Sequence, residues 1–109
     1  MLILRTPQPE ATNYSKIDLG YGFYALVDPE DYEWLRRWRW RAKKSKSGYY
    51  AVRKCRVNGR EHLVRMHREI TDCPPDKIPH HLNRNTLDNR RCNLENLTPA
   101  EHKAVHRFG

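Results

Sequence analysis

Apolar and polar positions along the chain follow two rhythms, one with a period of two residues and one helical. Trp38, Trp40 and Ala42 alternate with Arg39, Arg41 and Lys43. That alternation predicts a strand with one apolar and one basic face. Tyr49 to Val57 and Arg60 to Met66 flank Asn58-Gly59, a pair that tolerates positive φ at both positions and so predicts a hairpin. With Ser45 to Gly48 as a loop, these segments make a three-stranded antiparallel sheet studded with Arg and Lys. Ile17 to Val27 mixes Leu, Tyr, Phe and Val with Gly20 and Gly22, which predicts short strands around a tight turn.

The helical rhythm is marked by its start signals. Asp28 stands before Pro29, with Glu30 and Asp31 in the first turn, so a short helix is expected from about Pro29 to Arg37. Thr98-Pro99-Ala100-Glu101 is a capping box with proline at the first helical position. The helix it opens at about Pro99 carries His102 and His106 on one face, four residues apart. Met66 to Thr71 is expected to form a helical turn before the Pro74-Pro75 break, and residues 5–16 an extended polar arm. The fold class read from this order is α+β: a short N-terminal helix and a twisted antiparallel sheet, then a C-terminal strand and helix region. Trp34, Trp38 and Trp40 are expected in the core.

At 109 residues the chain suits one domain. We divide it into an arm (1–16), a basic β-rich part (17–77) and a chemically specific unit (78–109). No apolar run approaches a membrane span and no signal-peptide pattern opens the sequence, so a cytoplasmic protein is expected. Cys55, Cys73 and Cys92 are odd in number and widely spaced, which argues against a disulfide framework or a four-cysteine zinc site. Charge changes the picture more. The net +8 is not even, because Arg36 to Arg68 carries thirteen basic residues against Glu61, a local +12 that leaves −4 for the remainder. Clustering of that kind is self-repulsive unless a polyanion relieves it, which makes nucleic acid the expected partner rather than a membrane. Arg39, Arg41 and Lys43 are the expected phosphate contacts on the sheet.

The last third carries the chemistry. His80 and His81 follow Pro79, and a loop rich in asparagine (Asn83, Asn85, Asn89) leads to Asn93-Leu94 and the capped helix. Adjacent strand residues point to opposite sides. One histidine of the pair can therefore face the helix while the other faces away. His102 and His106 present two imidazoles to one divalent ion, and His80 would complete a facial set that leaves positions for water and a phosphate oxygen. His81, unliganded and near the reference pKa of about 6.5, could take a proton from water at neutral pH, held in orientation by an asparagine carbonyl. Arg90 and Arg91 are candidates to clamp the scissile phosphate. His62 and His67 are expected to be structural.

His81, Asn93 and His102, with His80 and the surrounding L-D-N-R-R-x-N-L, resemble the HNH nuclease motif across Ile78 to Phe108. The region from Asp28 through Met66-His67-Arg68 is similar to the N-terminal half of phage and intron HNH proteins, homing endonucleases among them. The resemblance implies a ββα-metal unit, with His80 and His102 as metal ligands and His81 as general base. It implies that Asn93 orients His81 and pins the loop. His106 is similar to the second helical ligand of colicin-type nucleases. The implied activity is metal-dependent hydrolysis of DNA phosphodiesters with Mg2+ or Mn2+, or with Zn2+ or Ni2+. One such unit holds one centre, so cutting both strands calls for a homodimer or sequential nicking. Homing enzymes carry a separate recognition module after the nuclease unit. Here the basic sheet is expected to bind DNA itself, or sequence specificity to be low. Three other functions compete with this one. A non-catalytic DNA-binding protein with structural zinc would favour four ligands and cysteine. An RNA-binding module or RNA nuclease lacks its aromatic RNP motif here. A toxin-like nuclease would normally be part of a larger chain.

Overall fold

The computed structural model describes residues 13–108, with side chains described through residue 105. It is a small mixed α+β fold with three short sheets and three helices among the described residues. Strands β1 (Ser15–Gly20) and β2 (Phe23–Val27) form the first antiparallel hairpin. Helix α1 (Pro29–Leu35) follows. Strands β3 (Arg41–Ser45), β4 (Gly48–Val57) and β5 (Arg60–Arg65) make the three-stranded sheet, with β4 central. Helix α2 (Met66–Thr71) leads to β6 (Ile78–His81), which pairs antiparallel with β7 (Leu94–Leu97) before helix α3 (Pro99–Phe108).

The expected elements are present, with shifted edges. The arm expected over 5–16 lies outside the described residues as far as 12, and Ser15 and Lys16 already belong to β1. Helix α1 ends at Leu35 rather than Arg37, and β3 begins only at Arg41, so Trp38 and Arg39 lie in the connection rather than in a strand. Trp40 sets that connection: its indole donates to the Leu35 carbonyl (2.8 Å), closing the chain back on the helix end. Trp40 is buried, whereas Trp34 and Trp38 pack only partly against the core. Asn58 and Gly59 adopt φ of 50° and 75°, as a two-residue hairpin turn demands.

The core runs between the first hairpin, α1, the inner face of the three-stranded sheet and α2. Val27, Leu35, Ala51 and Met66 are among its most buried side chains, with Leu94 of β7 joining them. Full burial of each large member contributes about 1.5–3 kcal/mol. The segment between β6 and β7 is tied to this core through β2: the Leu26 amide donates to the Leu87 carbonyl (2.8 Å) and the Asn89 amide donates to the Leu26 carbonyl (2.7 Å). Gly48 lies against the same segment at φ 125°, where a Cβ would stand 3.3 Å from the Thr86 hydroxyl.

Candidate active site

Alternation along β6 separates its two histidines. His80 and His81 pair across to Glu95 and Leu94 of β7, and both are buried. The His80 ring meets His102 of α3 edge to face, with centroids 5.7 Å apart. His102 is held there because the capping box forms: the Glu101 amide donates to the Thr98 hydroxyl (3.2 Å), and the Thr98 amide donates to the Glu101 carboxylate (2.8 Å). Hydrogen bonding from the Thr98 backbone amide, and then from its side chain, holds the Glu101 carboxyl below its ordinary range.

His81 sits in a different group of side chains. Its ring packs on His67 of α2 (5.1 Å between centroids) and Tyr50 of β4 (6.0 Å). Its Nε2 lies 2.8 Å from the Asn89 carboxamide oxygen. That oxygen only accepts, so the bond keeps a proton on Nε2 and leaves Nδ1 as the basic nitrogen. Burial pushes the His81 pKa below the ordinary value, and the Asn89 bond and Asp88 charge only partly offset it. The imidazole is therefore lowered from the reference value expected of it. His67 is pushed down further, to about 3, by burial and then by the neighbouring His81, Arg68 and Arg65.

In the 82–93 segment the structure gives Asn93, Arg90 and Arg91 partners within the fold. Among the described residues the His81 ring hydrogen-bonds Asn89 and not Asn93. Asn93 donates its amide to the Asn83 side chain (2.9 Å) and the Asp88 carbonyl (2.8 Å), its side-chain oxygen accepts from the Asn83 amide (2.9 Å), and its carbonyl accepts from Leu82 (2.8 Å). It pins the loop, and Asn89 contacts the histidine. Arg90 and Arg91 do not reach the cavity either. Arg90 grips the buried Asp88 through Nε and Nη2, each at 2.7 Å. Arg91 forks the buried Asp31 of α1 at 2.8 and 3.0 Å, while its backbone amide donates to Asp28. Asp28 consequently precedes α1 without capping it through its side chain. Burial raises the Asp88 pKa, but the bonds from Arg90 and Asn83 outweigh it and hold the carboxyl below its usual range.

A cavity of about 480 Å³ opens where His80, His81 and His102 meet the three-stranded sheet. Its cationic walls are Arg65, Arg68 and Arg84, and no carboxylate lines it among the described residues. Ser45, Tyr50 and Thr86 close the sheet side. Arg65 and Arg68 are lining residues that the sequence reading does not single out. The available signal was the proximity of Arg65, His67 and Arg68 at the start of α2. His62, by contrast, is exposed on β5. Register places Arg41, Lys43 and Ser45 on one face of β3, opposite Val52, Tyr50 and Gly48, so Arg41 and Lys43 share the face that supplies the cavity wall. Arg39 lies instead in a second groove beside the first hairpin, and Arg41 lines that groove too.

Among the described residues no group of three or more His, Cys, Asp and Glu is gathered as a metal cluster. The His106 side chain lies outside the described residues, so its expected ligation is not placed. His80 and His102 bring two imidazoles to one corner of the cavity, a borderline donor pair that suits a divalent transition ion and leaves room for oxygen ligands. Cys55, Cys73 and Cys92 are free thiols.

A scan against protein-family models and searches of curated proteins and of solved structures returned no match. The site therefore rests on its own geometry. Among the described residues no helix is long and apolar enough to cross a membrane.

Proposed function

We propose that this chain is a metal-dependent endonuclease of the HNH type that hydrolyses DNA phosphodiester bonds. The observation that carries the reading is the buried His81, fixed through Nε2 by Asn89, on the wall of an arginine-lined cavity next to the His80–His102 pair. In this reading β6, β7 and α3 are the ββα-metal unit. Arg65, Arg68 and Arg84 bind the phosphate flanking the cleaved bond, their positive charge unopposed in the cavity lining by any described carboxylate. His81 Nδ1 takes a proton from a water molecule as the water oxygen attacks phosphorus and the bond to the leaving sugar oxygen breaks. Asn89 keeps the ring in the tautomer and orientation that this transfer needs, and the His67 ring packs against it. His80 and His102 would hold the divalent ion, which supplies Lewis-acid stabilisation of charge on the phosphate and the leaving oxygen.

The reading is tested by incubating the protein with supercoiled plasmid and Mg2+, Mn2+, Ni2+ or Zn2+, with an EDTA control. Nicking or linearisation that EDTA abolishes is expected. His81→Ala should lower the rate by about 10²–10⁴-fold, the usual contribution of a positioned base, with metal affinity by calorimetric titration unchanged. His80→Ala and His102→Ala should instead weaken metal binding and cleavage together. Wild-type cleavage by His81→Ala excludes it as the base, and unchanged metal binding in both ligand variants rules out the site. Plasmid left intact with every metal overturns the reading.

A further inference from the structure

The second groove differs in kind from the cleavage cavity. It spans about 1060 Å³ and its walls carry Lys16, Arg36, Arg37, Arg39, Arg41 and Lys54, with Asp18 as the acidic residue in the lining. It is also aromatic. Arg36 lies over the Tyr32 ring (5.8 Å), and Arg53 and Arg37 lie over Trp38 (4.1 and 5.4 Å). At its rim stands Tyr21, the tip of the first hairpin, fully exposed at 102% and in left-handed backbone at φ 53°. A bulky residue at positive φ is an outlier, and glycine would occupy the position without strain. Its neighbours Gly20 and Gly22 adopt φ of 84° and 83°, so the turn already uses glycine on either side. The ring gains no burial from the fold in exchange for that strain.

We propose that this groove binds single-stranded DNA, with Tyr21 as a stacking platform for an unpaired base. Cations alone would serve the backbone of a duplex, whose bases are already stacked on one another. An exposed ring beside a cationic, aromatic groove suits a strand whose bases are open. The groove and the cavity are joined along β3. Arg41 lines the former and Ser45 the latter, four residues or about 13 Å apart on one face of the strand. A strand held in the groove thus continues toward His81, and the preferred substrate is DNA with an unpaired tract beside the bond that is cut.

The test measures binding without cleavage. Fluorescence anisotropy in EDTA compares labelled dodecathymidine with a mixed-sequence 12-base-pair duplex, and thermal denaturation is followed in parallel. Tyr21→Gly should weaken binding to dodecathymidine by about fivefold or more, the lower end of one base-stacking contact. It should change duplex affinity less than about twofold and raise Tm by relieving the backbone. Tyr21→Trp should retain strand binding. The double variant Arg36→Ala/Arg37→Ala should flatten the salt dependence for dodecathymidine by about 1.4, or 0.7 per lost phosphate contact. Equal losses on strand and duplex would replace the assignment with a duplex flank. No loss on either, or a fall in Tm for Tyr21→Gly, overturns it. Plasmid nicking that survives such a result leaves the nuclease reading standing and removes only this one.

Discussion

The 82–93 segment and the three-stranded sheet are both rich in polar and charged residues, yet the fold treats them in opposite ways. In the segment, Asp88, Asn89 and Asn93 are at most 1% exposed; Asn93 donates to the Asp88 carbonyl, Asp88 accepts from Arg90, and Asn89 bonds His81. In the sheet, Arg41, Lys43, Lys44, Arg56 and Arg60 stay exposed, and burial falls to Ala51 and Val52. A buried polar group must find partners or lose about 1–3 kcal/mol, so the segment is a small polar core that aims one histidine. An exposed charge needs no protein partner and remains available to a polyanion. The arginines divide in the same way: Arg90 and Arg91 hold buried acids, while Arg65, Arg68 and Arg84 face the cavity.

The contrast is broken most severely at Asp88. Asp88→Ala leaves Arg90 and Asn83 without the carboxylate that both engage, and should cost about 3–5 kcal/mol in urea denaturation, as for other buried pairs that lose one partner. A loss below about 1 kcal/mol would mean that the segment is not held by this network.

Acid should sharpen it next. The folded pKa of His67 is about 3 against 6.5 for the unfolded side chain. Between those values the unfolded chain binds a proton that the folded chain refuses, so stability is complete above about pH 6.5 and falls as pH drops toward 3. The steepest slope should be about 1.4 kcal/mol per pH unit. His67→Phe, which keeps a ring against His81, should remove the His67 share of that dependence and leave that of His81, whose pKa burial also lowers. An identical acid limb in the two proteins would show that His67 is not the group responsible.

The smallest stability effect belongs to the sheet. Arg41→Ala/Lys43→Ala should leave stability within about 0.5 kcal/mol, because neither exposed side chain is part of the core. Its effect should appear in binding: the slope of log K against log salt for duplex DNA should flatten by about 1.8, or 0.9 per lost phosphate contact. An unchanged slope would remove that face from the DNA contact.

Local signals in the sequence were enough for the elements whose causes are local. The Asn58-Gly59 turn and the Thr98–Glu101 box form where the sequence places them, because turn geometry and capping each act within a few residues. The end of α1 was less legible, since the Trp40 indole draws the following residues onto the helix end before β3 begins. The separation of His80 from His81 was legible as alternation. What no local rule could decide was partnership among like residues. Asn83, Asn89 and Asn93 are chemically equivalent in the sequence, and only the tie between the 82–93 segment and β2 sets Asn89 against His81 and turns Asn93 inward. Arg90 and Arg91 read as well for phosphate as Arg84 does, until folding brings Asp31 from sixty residues away to Arg91. His67 joins His81 only because α2 packs behind β6. Partnership of this kind depends on which distant groups are buried together, and burial is a property of the assembled fold rather than of any stretch of chain.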